Sequence, residues 1–252
     1  MIRRSPFLLL GICLPSLAVG NPLAQSQQLL VVLSDGFDAP RGTLYRFERR
    51  QSSSSLVRVG SPLPVWLGRS GLGWRSDPGA PIPPVEGPVK REGDGRSPAG
   101  ILPIGEMWGY APAAPGGVKL PYHQATAQDR CVDDVASPSY NQIVRESAAP
   151  SWKSAEHMKM PTDHYKYLVV LGYNLPKARP GAGSCIFLHV APPPQGGTAG
   201  CTALFEKDLV DVLRWLDPKR TPVIVQLPKQ VLTSAIKAWQ LPTELAQLAN
   251  TP

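Results

Sequence analysis

Prolines and glycines interrupt almost every segment of this chain, 29 and 23 of them in 252 residues. Proline lacks a backbone donor and clashes inside a helix, and glycine weakens regular elements while permitting tight turns. Long helices are therefore excluded, and short strands joined by turns are favoured. The hydrophobic share, 42%, still suffices for one sizeable core or two small ones. No internal repeat or compositional break divides the chain. We therefore expect a mainly β domain with a few short helices, and a helical tail over residues 229–252.

Patterning gives the elements. The run Gln-Leu-Leu-Val-Val-Leu at 28–33 reads as a buried first strand, with residues 42–49 as its hairpin partner; a polar turn follows at 51–55. Further strands are expected at 56–59, 64–67, 101–104, 167–173, 184–190 and 223–227. Residues 70–88 form a Gly/Pro-rich connection and residues 192–197 an irregular loop. Phe205, Leu209, Val212, Leu213 and Leu216 recur at helical spacing, and Asp217-Pro218 stops that helix. A second helix is expected at 232–239. Residues 113–165 read as an irregular insertion or lid, with a helix around 139–146.

Residues 1–20 have the form of a secretory signal peptide. Arg3 and Arg4 precede an apolar run from Phe7 to Val19, and Ala18-Val19-Gly20 offers small residues at a cleavage site. The run is shorter than the roughly 20 residues of a membrane span, so no stable span is expected after cleavage. Cys13 would suit a lipoprotein signal, but bulky Ile12 precedes it. Removing residues 1–20 takes the formal net charge from +7 to +5. A basic exported protein suits an anionic polymer such as a cell wall, or a membrane surface; solubility alone would also account for the charge. The basic residues are scattered and nothing resembles a nucleic-acid module. Export places the protein in the periplasm or cell envelope. Cys131, Cys185 and Cys201 remain, an odd number. In an oxidising compartment one pair and one free thiol is the simple solution. Cys201 lies in a Gly-rich loop, so Cys131 is paired with Cys185.

Chemistry gathers where Ile186-Phe187-Leu188-His189-Val190 is followed by Thr198-Ala199-Gly200-Cys201-Thr202. A histidine within reach of the sulfur could take the thiol proton and return it to a leaving amine. The N-terminus of the helix near Phe205 would favour the thiolate. Gly200 would let backbone N–H groups approach an oxyanion, and Thr198 would orient the imidazole or donate to substrate. Packing offers a second reading, because a satisfied interior histidine and a small apolar cysteine fit the same pattern. A zinc site from His123, Cys131, His189 and Cys201 lacks a closely spaced ligand pair to seed it, so no metal is expected. Of the other histidines, His123, His157 and His164 read as surface or structural, although the insertion could bring one over the site.

About a hundred residues earlier, Asp94-Gly95-Arg96-Ser97-Pro98-Ala99-Gly100 forms a second motif. By itself it is a charged turn. The two together resemble the L,D-transpeptidase catalytic-domain (YkuD-like) family of bacterial cell-wall enzymes. Members carry a histidine on a strand, then a hydroxyl residue, a variable residue, Gly and Cys, matched here by His189, Thr198, Gly200 and Cys201. Members also carry an Asp-Gly-x-Thr-Pro-x-Gly turn, matched by residues 94–100. The resemblance covers roughly residues 28–228. It is closest to an exported proteobacterial subgroup with a longer middle segment, here including Cys131-Val132-Asp133-Asp134 and Tyr140-Asn141. It implies a β-sandwich-like fold and a cysteine acyl-enzyme acting on peptidoglycan stem peptides. His189 would be base and then acid, and N–H groups near Gly200 and Cys201 would hold the oxyanion. Ala199 and Ala203 depart from the histidine and the Asn or Arg that many members have there. Carboxypeptidase, amidase or other hydrolytic activity, and a wall-binding module without catalysis, stay open beside cross-linking.

Overall fold

A computed structural model describes residues 23, 25–50, 55–77, 82–191 and 196–250. The expected signal at 1–20 lies outside the described residues, as do most of the turn at 51–55, residues 78–81 of the connection and residues 192–195 of the loop.

Thirteen strands dominate. They are β1 (Gln28–Ser34), β2 (Arg41–Arg49), β3 (Leu56–Trp66), β4 (Leu72–Trp74), β5 (Ser97–Gly109), β6 (Tyr122–Gln124) and β7 (Asp129–Val132). Then come β8 (Ile143–Arg145), β9 (Ala155–His157), β10 (Tyr167–Leu171), β11 (Phe187–Val190), β12 (Thr202–Leu204) and β13 (Val223–Pro228). Only two α-helices occur among the described residues, α1 (Glu206–Trp215) and α2 (Leu232–Trp239). A 3-10 stretch, Thr243–Asn250, follows α2. The mainly β architecture is thus the expected one.

Every residue of β1 is buried, and β1 lies between β2, antiparallel, and β13, parallel. A strand buried on both faces reads as a continuous apolar run, as residues 29–33 do. The main sheet runs β10-β11-β12-β3-β2-β1-β13-β5. It closes on itself through β5, whose first half pairs β13 while its second half pairs β10. The two short strands expected at 56–59 and 64–67 are one strand, β3. A register shift opposite β2, with Gly60 at φ 66°, absorbs the irregularity.

The insertion departs from expectation. It carries a separate three-stranded antiparallel sheet, β8-β7-β9. The helix expected around residues 139–146 does not form. Asn141 takes φ 62°, outside helical space, and its side chain is fully used. Its Nδ2 donates to the carbonyls of Tyr173 and Asn174, and its Oδ1 accepts from the Cys185 N–H at 2.9 Å. Cys185 itself has φ 54°, so the strand expected from residue 184 starts only at Phe187.

The disulfide joins Cys131 on β7 to Cys185 just before β11, and Cys201 is free. Around it lies a second apolar cluster, separate from the main core, that includes Met158, Tyr165, Phe187 and Cys201. The insertion is therefore clamped to the main sheet at the start of β11, beside the cysteine and histidine. No helix among the described residues is long and apolar enough to cross a membrane.

Replacing Cys131 and Cys185 together by serine should cost about 2–4 kcal/mol of stability. Urea unfolding checks this, and peptide mass mapping of the unreduced native protein should find Cys201 unbridged.

Candidate active site

Strands β11 and β12 are parallel neighbours, with Leu188 opposite Thr202 and His189 opposite Ala203. The connection from the end of β11 must therefore return to its beginning, which sets Cys201 beside Phe187. The Phe187 N–H donates to the Cys201 sulfur, and the thiol donates to the Cys185 carbonyl, both at 3.3 Å. The period of two along β11 places His189 on the same face as Phe187. His189 and Cys201 are each 6% exposed, and both line a cleft of roughly 370 Å³.

The cysteine loop is held by its own carbonyl. The Cys201 carbonyl oxygen accepts from Thr198 Oγ1 at 2.6 Å and from Ser97 Oγ at 2.8 Å. Ser97 Oγ in turn accepts from the Gly68 N–H. Ser97 is the hydroxyl of the 94–100 turn, so the two distant sequence motifs meet under the Cys201 sulfur. Asp94 shapes that turn. Its carboxylate accepts from the N–H groups of Arg91 and Arg96 and pairs with Lys90 Nζ at 2.7 Å. The Arg96 guanidinium is turned away, onto Asp38 and the carbonyls of Phe37 and Leu72. Gly200 has φ 154°, and a Cβ there would lie 3.1 Å from the Arg96 carbonyl oxygen. Only glycine fits both that backbone and that approach.

Several expected roles change. Thr198 does not orient the imidazole; its hydroxyl is spent on Cys201 and accepts from the Gly200 N–H at 3.1 Å. That bond also occupies the Gly200 N–H expected at an oxyanion. The helix does not start beside the sulfur, because β12 intervenes between Cys201 and α1. The thiol is accordingly not lowered. Burial first, and then the charge of Glu156, push it far above its ordinary range. Ala203 is fully buried where β11, β12 and β3 meet, opposite His189 and Trp66. It fills the core and does not line the cleft.

Burial likewise holds the His189 imidazole down, to about 4, against the carbonyl hydrogen bond from Val190 that favours its charged form. Nδ1 lies 2.8 Å from the Val190 carbonyl oxygen. A carbonyl only accepts, so Nδ1 carries the hydrogen; the His164 carbonyl also bonds the ring and favours its charged form. At neutral pH the pair is therefore an uncharged thiol and an uncharged imidazole.

His164, read from the sequence as surface or structural, lines the cleft instead; the insertion does bring this histidine to the site. His123 is exposed, stacked on Trp108 and bonded to Glu106, and Cys131 is committed to the disulfide. Among the described residues no group of three or more His, Cys, Asp or Glu could hold a metal ion. Sequence reasoning missed Tyr165 and Glu156, which both line the cleft. Their signal was weak, since each lies in the segment read as irregular.

The model of the YkuD L,D-transpeptidase catalytic domain matches residues 38–225. The chain belongs to this family. Its two sequence motifs and the sheet that brings them together lie within the matched span, and the family assignment carries the coarse activity, that of a peptidoglycan cell-wall enzyme. No curated protein and no solved structure matches the chain significantly.

The depressed imidazole has a consequence for stability. Below about pH 6.5 the unfolded chain takes up a proton that folded His189 refuses until about pH 4. Stability from this residue is present above that window and lost as pH falls through it. A His189→Gln variant should gain on the wild type by on the order of 3 kcal/mol between pH 7 and pH 4. Paired denaturant titrations at several pH values check the difference.

Proposed function

We propose that this protein is an exported peptidoglycan L,D-transpeptidase that works through a Cys201 thioester, with His189 as general base and then acid. The observation that carries the reading is the shared cleft wall of Cys201 and His189, with the cysteine loop anchored on the 94–100 turn. Residues 1–20 would direct export and be removed, placing the enzyme in the periplasm or cell envelope. The walls of the cleft carry both signs of charge, Arg69 and Lys90 facing Glu92, Asp133 and Glu156. A stem peptide, which bears both carboxylates and amines, suits such walls.

An uncharged resting pair dictates the order of proton transfer. The thiol proton moves to His189 as the sulfur attacks the carbonyl carbon of an L-to-D peptide link, so the thiolate never stands alone. The Cys201 N–H would hold the oxyanion, while Thr198 and Gly200 keep the loop in shape. The C–N bond to the D-amino acid then breaks, and the leaving amine takes the proton from His189. An amine of a second stem resolves the thioester and regenerates the thiol. Water in its place would make the enzyme an L,D-carboxypeptidase or an amidase-type hydrolase. No metal or organic cofactor enters any of these steps.

Incubation with a carbapenem should add one acyl group to Cys201, detected by mass. The adduct should be absent in Cys201→Ala and form at least about a hundredfold more slowly in His189→Ala, the usual scale of general-base catalysis. Digestion of purified muropeptides should yield cross-linked products; shortened stems alone would mark the hydrolase. A Cys201 no more reactive than an ordinary thiol, with no turnover, would leave a wall-binding module.

A further inference from the structure

A buried phenol and a carboxyl share the cleft and have no part in the steps above. Tyr165 ends a 3-10 turn, Asp163–Tyr165, just before β10. Its ring packs edge-on against His189 at 5.3 Å and against Phe187 at 5.6 Å. Its hydroxyl donates to Glu156 Oε2 at 2.6 Å; a hydrogen bond from it to the Cys201 sulfur would favour the thiolate, and the two residues line one cleft and share one apolar cluster. Glu156 lies on β9 opposite Cys131. The disulfide of Cys131 leads to Cys185, whose carbonyl accepts from the Cys201 thiol. One phenol thus packs on His189, shares the cleft with Cys201 and reaches a carboxyl brought in by the insertion.

We propose that Tyr165 is a further catalytic residue, donating its hydroxyl hydrogen bond to the Cys201 sulfur as negative charge develops there, and that Glu156 positions that hydrogen. The proposal rests on the cysteine reading above. A phenol has a single hydrogen and two claimants for it. When Glu156 is protonated, its own O–H donates to the Tyr165 oxygen, and the phenol hydrogen is free for the sulfur. When Glu156 is ionised, the carboxylate takes the phenol hydrogen and sets a negative charge facing the nascent thiolate. No atom is gained or lost between the two arrangements apart from the proton of Glu156, exchanged with solvent.

The surroundings suit a carboxyl that changes state near neutrality. Burial, with the charges of Asp133 and Glu92, lifts Glu156 to about 7 against the Tyr165 hydrogen bond. Asp133 follows β7 and its Oδ1 is buried without a partner among the described residues. Glu92 accepts from Ser184 and Tyr140. Lys90 is the cation whose charge favours the ionised sulfur, but its ammonium is already held by Asp94 and the Arg91 carbonyl. Arg69, His164 and His189 complete the charged and titratable lining. Tyr165 itself is raised well above its ordinary range, burial leading and Glu156 second, so it remains a donor.

The test is the rate of iodoacetamide alkylation at Cys201 against pH, followed by mass of the Cys201 peptide from the full-length protein. Glutamine mimics the protonated acid, because its amide donates to the Tyr165 oxygen. Glu156→Gln should speed alkylation at pH 8 about threefold to tenfold, the scale of one hydrogen bond, with little change at pH 5.5. Tyr165→Phe should slow it by a similar factor. In the Tyr165→Phe/Glu156→Gln protein, which leaves no carboxylate stranded, the gain from glutamine should disappear. An unchanged pH profile in Glu156→Gln, or the same gain with phenylalanine at 165, overturns the proposal. Alkylation reads the sulfur without any stem peptide. Loss of muropeptide turnover with these rate effects intact would therefore count against the transpeptidase reading alone.

Discussion

The Cys201 carbonyl oxygen, gripped by two hydroxyls, is the contact on which the site depends. Thr198 approaches from within the cysteine loop and Ser97 from the 94–100 turn. The cysteine loop has no regular structure of its own, and the 94–100 segment becomes strand only from Ser97, where β5 begins. Each is shaped locally, by the Asp94 carboxylate on one side and by Gly200 on the other. Their meeting joins the two motifs into one floor. The sulfur above it then has a defined direction, between the Phe187 N–H and the Cys185 carbonyl.

Burial sets the chemistry on that floor. Removing a thiol and an imidazole from water disfavours the charged form of both, so the pair rests neutral instead of as a thiolate beside an imidazolium. The cost is that every nearby charge matters in a site so poorly screened. The insertion brings Glu156 and Asp133 toward the sulfur, and the disulfide keeps them there.

Much of the frame was legible in advance. The apolar run of β1, the α1 pattern ending at Asp217-Pro218 and the extent of α2 follow from spacing and breakers. The pairing of Cys131 with Cys185 followed from an odd count and the loop setting of Cys201. The insertion was not legible. Its strands are three or four residues long, too short for a period to declare itself, and Asn141 turns the chain by side-chain bonds to distant carbonyls. The thiol was misjudged for a related reason. A helix follows Cys201 in the sequence, but the three residues of β12 carry its start away from the sulfur.

By itself the sequence determined the family, the strand-rich character and the identities of Cys201 and His189, because residue order and local spacing hold that information. Only the tertiary structure decided their electrostatics and their neighbours. Ser97, Glu156 and Tyr165 lie 104, 45 and 36 positions from Cys201 along the chain. Closure of the sheet through β5 and the clamp of the disulfide bring them around one sulfur atom. Solvent exclusion and through-space charge depend on distance in the fold, and distance in the fold is what a linear pattern does not carry.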